Sequence, residues 1–144
     1  MEKEDIPFFN EVRNECNEWL HNPSFYTLEE SLSWFDQNKN PFFVCEVDGK
    51  KIGYFRTSNW ENFSCYIGMD IHKNFRGKKL AVPAYKAFMD MLNRIYNIYL
   101  FKLEVLAKNT RAYSLYVKLG FKEVSRYEHG EDISIIMEKV YDEN

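Results

Sequence analysis

Apolar residues change their spacing along this chain in a definite order, and that order most limits what it can fold into. Phe9, Val12, Cys16, Trp19 and Leu20 recur at helical spacing, which predicts a helix over 6–20, broken by His21-Asn22-Pro23-Ser24. Thr27 with Glu30 three residues on has capping-box spacing and opens a second helix carrying Leu28, Leu32 and Phe35, ended by Asn38-Lys39-Asn40-Pro41. The period then drops to two. Residues 42–47, the turn Asp48-Gly49 and residues 51–57 read as a hairpin, followed by a strand over 63–71. A long helix carries Leu80, Ala84, Ala87, Phe88, Met91, Leu92 and Ile95 on one face; 99–106 is a strand, and 110–119 is a short helix closed by Gly120. Strands over 121–129 and 132–139 flank a turn at Gly130. The order ααβββαβαββ predicts a single α/β domain over residues 1–144. Its mixed, mostly antiparallel sheet should hold about six to seven strands flanked by about four helices.

Composition removes other classes. At 144 residues, 45% hydrophobic and 28% charged, the chain can bury a core without staples and is too apolar to be disordered. Its apolar runs, such as 41–45, fall far short of the roughly 18–20 residues that span a bilayer, so no membrane partner is expected. The start Met1-Glu2-Lys3-Glu4-Asp5 is acidic and lacks the apolar core of a secretory signal, so a cytoplasmic location is expected. Cys16, Cys45 and Cys65 include no CxxC pair and read as buried reduced thiols. His21, His72 and His129 lack metal-ligand spacing, so no metal is expected. A net charge of −3 disfavours nucleic acid, and the aromatics follow core periodicities rather than a basic stacking face. That charge is uneven: residues 1–70 hold 6 Lys+Arg against 13 Asp+Glu, and residues 71–144 hold 13 against 9. The resulting −7 and +4 suit a protein that holds a cationic ligand on one side and an anionic one on the other; chance unevenness explains them as well.

The segment 69–81 reads strand, basic loop, helix. Such a loop runs into unpaired backbone N–H groups and the positive end of the helix dipole, which together bind anions. Pro83 is tolerated only in a first helical turn, so the helix should start near residues 78–80. Arg76, Lys78 and Lys79 add positive charge there.

The segment Leu103–Phe121 places Asn109, Ala112, Leu115, Tyr116, Gly120 and Phe121 at fixed spacing, and over roughly residues 42–128 the chain resembles the GNAT superfamily of N-acetyltransferases, which transfer acetyl from acetyl-CoA to amines. The family's later motif, N-x-x-A-x-x-L-Y-x-x-x-G-F, is matched by Asn109, Ala112, Leu115, Tyr116, Gly120 and Phe121. Its pyrophosphate loop, [RQ]-x-x-G-x-[GA], is matched by Arg76-Gly77-Lys78-Lys79-Leu80-Ala81 except that Lys79 stands where the family has glycine. The lysine either supplies a charge-assisted contact to phosphate or narrows the site. The second outcome would leave an acetyl-CoA-binding module without turnover, the alternative to an enzyme.

The resemblance implies a GNAT-like fold, acetyl-CoA as cosubstrate and the following site. Met69 and Ile71 would contact the pantetheine arm through their backbones, and the amides of Arg76, Gly77, Lys78, Lys79, Leu80 and Ala81 would hold the pyrophosphate. Asn109, Ala112 and Tyr116 would line the reactive end, with Lys73, Lys108, Arg111 and Lys118 as candidates for the nucleotide phosphates. Tyr116 occupies the family's general-acid position; a phenol with a pKa near ~10 can protonate the leaving thiolate. For the base, Glu104 is favoured because a glutamate in that strand acts so in the similar ribosomal-protein N-acetyltransferases; Asp70, Glu46 and water stay open. Residues 13–35 would form much of the acceptor wall, acidic and aromatic with Glu15, Glu18, Trp19, Phe25, Tyr26, Glu29, Glu30 and Trp34. An amino sugar, a polyamine and a peptide N-terminus are all open as the amine acceptor. Many relatives form homodimers, and the sequence leaves the oligomeric state open.

Overall fold

A computed structural model describes residues 1–15, 27–37, 41–77 and 79–142, with the side chains of residues 15, 33–37 and 129 outside the description. After a 3₁₀ turn at Lys3–Asp5 come α1 (Ile6–Glu15), α2 (Leu28–Gln37), β1 (Phe42–Val47), β2 (Lys50–Glu61) and β3 (Ser64–Ile71). A 3₁₀ turn at Lys73–Phe75 leads to α3 (Ala81–Tyr96), β4 (Leu100–Leu106), α4 (Thr110–Leu119), β5 (Lys122–His129) and β6 (Asp132–Val140). This is the expected order. The six strands lie as β1-β2-β3-β4-β6-β5, with β1/β2, β4/β6 and β5/β6 antiparallel and β3/β4 parallel. Among the described residues no helix is long and apolar enough to cross a membrane. The chain divides into two compact units, Met1–Thr57 with Met69–Lys78, and Ser58–Gly68 with Lys79–Asn144.

In the first unit, Ile6, Phe9 and Val12 form the buried stripe of α1, and the Phe9 ring lies 4.6 Å from that of Tyr54 on β2. Residues 16–20, expected in the same helix, lie outside the described residues. The capping box at α2 is present: the Glu30 N–H donates to Thr27 Oγ1 at 3.1 Å and the Thr27 N–H to Glu30 Oε1 at 3.0 Å. Ser31 Oγ donates to Asn10 Oδ1 at 2.6 Å and ties α2 to α1. In the hairpin turn Asp48 and Gly49 take φ 52° and 77°, the mirror-image turn that matches strand twist, and Val47 faces Lys50. Burial opposes ionisation of Asp5, but hydrogen bonds from Lys51 and the Glu2 amide outweigh it and hold the carboxyl below its usual range. Cys45 is half-buried, and burial raises its thiol.

In the second unit, α3 begins at Ala81, one residue beyond the expected start, with Pro83 in its first turn. Its buried face is Tyr85, Phe88, Met89 and Leu92. This corrects the expected stripe: Ala87 is exposed and Ile95 is 60% exposed. Turning Tyr85 and Met89 inward removes more apolar area from water than Ala84 and Ala87 would, and larger burial decides the helix's rotation. Along β4, buried Phe101, Leu103 and Val105 alternate with half-buried Lys102 and Glu104, as strand periodicity requires. β2 runs on to Glu61 rather than ending at 57; Asn59 takes φ 47° within it, and Trp60 beyond that residue packs edge-on against Tyr96 at 5.4 Å. Burial pushes the Cys65 thiol up to about 12.

Candidate active site

Helix α4 is held at both ends by residues of the later motif. Asn109 is its N-cap, and its Oδ1 accepts from the Ala112 N–H at 3.2 Å. The Asn-to-Ala spacing of the motif is therefore a capping distance. At the other end Gly120 takes φ 98°, where its N–H reaches the Tyr116 and Val117 carbonyls. The Phe121 N–H donates back to the Tyr116 carbonyl at 3.0 Å. The Phe121 ring then packs against that of Tyr116 at 6.0 Å. Four of the six motif positions thus fix a ten-residue helix, and Tyr116 is the polar-tipped residue it buries, 8% exposed.

Tyr116 meets Tyr85 of α3. The two rings stand edge to face at 5.7 Å and 86°, and their hydroxyls are 3.2 Å apart. Tyr85 is 1% exposed, so this contact sits inside the unit rather than at its surface. Sequence reading missed Tyr85 as a partner. It is three residues ahead of Phe88 in a helical pattern, but an aromatic at that spacing reads as core.

Glu104 lies on β4 opposite Ile136 of β6, and the Tyr127 hydroxyl donates to its carboxylate. That hydrogen bond is the main reason the Tyr127 phenol is pushed up, with burial adding to it. Asp70, the rival base, is 5% exposed and gripped by Arg56, with Nε 3.1 Å from Oδ2 and Nη2 3.4 Å from Oδ1. Glu46 is exposed on β1.

Beside Asp70, His72 leads into the basic loop. It is 8% exposed; its Nδ1 accepts from the Asn74 N–H at 3.1 Å, which leaves Nε2 as the donor to Glu11 Oε1 at 3.1 Å. The His72 ring stacks on Phe8 at 6.0 Å and 11°. Its backbone N–H donates to the Ile52 carbonyl at 2.7 Å. This side chain, unremarkable in sequence, pins the start of the loop to α1.

The loop itself has the backbone an anion site needs. Gly77 and Lys79 take φ 74° and 59°, so the lysine adopts the left-handed conformation for which glycine is suited. Leu80 is the N-cap of α3 and offers no side-chain acceptor to the first amides, in contrast with α4. Arg76 and Lys79 are exposed, and Lys78 lies outside the described residues. Arg76 Nε donates to the Ile71 carbonyl at 2.9 Å, one of the two backbone positions expected at the pantetheine arm; Met69, the other, is half-buried. Helix-start amides without a side-chain cap, left-handed backbone and exposed cations fit a diphosphate. Of the further cations, Lys108 pairs with Asp132 at 3.5 Å, whereas Arg111 and Lys118 are exposed on α4. Most of the expected acceptor wall, Glu15, Glu18, Trp19, Phe25, Tyr26 and Trp34 among it, lies outside the described side chains; Glu29 and Glu30 are exposed in the first turn of α2.

A family model for the acetyltransferase (GNAT) family matches residues 6–121. An N-alpha-acetyltransferase of Sulfurisphaera tokodaii is 30% identical over 127 residues, covering 77% of this chain and 74% of the relative. A spermidine N(1)-acetyltransferase of Escherichia coli K12 is 29% identical over 130 residues, covering 84% and 69%. The fold superposes on spermidine N-acetyltransferase from Vibrio cholerae in complex with CoA and spermine with a TM-score of 0.86, at 19% identity and over 97% of this chain and 92% of that one.

Proposed function

The chain belongs to the acetyltransferase (GNAT) family and uses acetyl-CoA as acetyl donor, and we propose that it transfers the acetyl group directly to a cationic primary amine. The acceptor class is a polyamine, an amino sugar or a peptide N-terminus. Acetyl-CoA, when bound, supplies the thioester carbonyl. The ammonium first gives one proton to solvent, and Glu104 takes the second proton, which the amine nitrogen sheds as its bond to the carbonyl carbon forms. Tyr116 gives its hydroxyl proton to sulfur as the carbon–sulfur bond breaks, and solvent restores both groups. What carries this reading is the buried Tyr116 hydroxyl, presented by a helix fixed at both ends. Glu104 is preferred to Asp70 because Arg56 engages both Asp70 oxygens, whereas Tyr127 donates to Glu104 and orients it. A cationic acceptor suits the −7 charge of residues 1–70, and the N-alpha- and spermidine-acetylating relatives are both named for amines that are protonated in water.

Thiol release from acetyl-CoA, followed over spermidine, amino sugars and peptides with free N-termini, tests the proposal. Turnover with at least one cationic amine is expected. Calorimetric binding of acetyl-CoA with no turnover across the panel would favour the module without turnover, and no binding would sink both.

The loop lysine gives a second test. Lys79→Gly removes a phosphate-facing charge and the cost of a left-handed lysine together. Stability should stay within about 1 kcal/mol, because glycine's greater unfolded-state freedom offsets the relieved strain. CoA affinity should fall about 2- to 5-fold, the worth of one exposed charge contact. A calorimetric Kd that is unchanged or tighter would remove Lys79 from phosphate binding.

A further inference from the structure

We propose that Tyr85 is a positioning residue of the acetyl transfer, acting through Tyr116. The inference rests on the reading of Tyr116 as general acid. When Tyr116 gives its proton to sulfur, its oxygen is left as a phenolate inside a largely apolar unit, where an unpaired charge is costly. The Tyr85 hydroxyl lies 3.2 Å from that oxygen, on a side chain 1% exposed and locked in the buried face of α3 with Phe88, Met89 and Leu92. Either hydroxyl can donate in the resting pair. The direction is decided by the reaction. With Tyr85 as donor, Tyr116 accepts that bond and keeps its own proton for the leaving group, and the same hydrogen bond strengthens as negative charge develops on the Tyr116 oxygen. The rings pack edge to face at 86°, which holds the two side chains against each other around that contact. The plain alternative is that two core tyrosines merely satisfy each other's polar tips; this would hold the fold and leave the chemistry unaffected.

Tyr85→Phe keeps the ring and its packing and removes only the hydroxyl, so the variant should fold with an unchanged near-ultraviolet spectrum. At saturating acetyl-CoA and amine, kcat should fall about 10-fold, as for one lost hydrogen bond to a developing charge. KM for acetyl-CoA should stay within about twofold, since ground-state binding is not involved. In a Tyr116→Phe background the same change should have no further effect, because there is no phenolate to stabilise. An equal loss of kcat in both backgrounds marks a structural role and overturns the inference. Unchanged kcat in Tyr85→Phe, with Tyr116→Phe impaired, overturns it while leaving the general acid in place. Unchanged kcat in Tyr116→Phe removes the general acid and this inference with it.

Discussion

Replacing Tyr116 by phenylalanine is expected to lower kcat by about 10²-fold or more while leaving CoA affinity nearly intact. The size follows from the role: positioned proton donors contribute 10²–10⁴ to a rate, and a thiolate leaving unprotonated is the poorer leaving group. The specificity of the loss follows from the packing. The ring that touches Phe121 and Tyr85 is kept, the two helix caps at Asn109 and Gly120 do not involve the hydroxyl, and only the oxygen 3.2 Å from Tyr85 is removed. The lost hydrogen bond to Tyr85 costs about 0.5–1.5 kcal/mol of stability, which a melting curve separates from a catalytic effect. Single-turnover rates of thiol release at saturating substrates, set beside a calorimetric Kd for CoA, measure both quantities. A wild-type rate would assign the acid to water or to another side chain.

The parts of this molecule legible in its sequence are those set by neighbours in the chain. Thr27 with Glu30, Asp48 with Gly49, and Asn109 with Gly120 around α4 are local hydrogen-bonding and φ requirements, and each lies where the spacing put it. What escaped reading is tertiary. Asp70 and Arg56 are fourteen residues apart, and nothing in either strand's pattern says that the carboxylate is spent on a guanidinium. Tyr85 and Tyr116 are thirty-one apart on separate helices, so their shared hydrogen bond waits on helix packing. The rotation of α3 went astray for the same reason: small alanines and large aromatics score alike in a periodic pattern, but burial favours area. His72 looked like one of three scattered histidines because its partners, Glu11 and Phe8, come from the far end of the chain. Lys79 shows the reverse case, in which a local departure from a motif is absorbed by the backbone, which takes φ 59° with a lysine in place.

Gly53→Ala should produce the largest loss of stability of any conservative change considered, about 3 kcal/mol. Gly53 sits on β2 opposite Cys45 of β1, and a methyl group there would overlap the Asp70 carbonyl oxygen and approach the Asp70 carbonyl carbon to 3.1 Å and Ile71 Cα to 3.0 Å. All three are backbone atoms, so no side-chain rotation relieves the clash. Nor is the facing backbone free to retreat. Arg56 holds the Asp70 carboxylate, the His72 N–H is bonded to the Ile52 carbonyl at 2.7 Å, and His72 is itself tied to Glu11 and Asn74. The strain must therefore either open the pairing near Gly53 or shift residues 69–72 together, and those residues lead directly into the basic loop. Chemical denaturation should show a lower midpoint at an unchanged slope, and the folded fraction should bind CoA more weakly than wild type. A midpoint within error of wild type would show that the two backbones are less tightly opposed than this geometry requires. It would also free the end of β3 from the fixed placement on which the start of the anion loop depends.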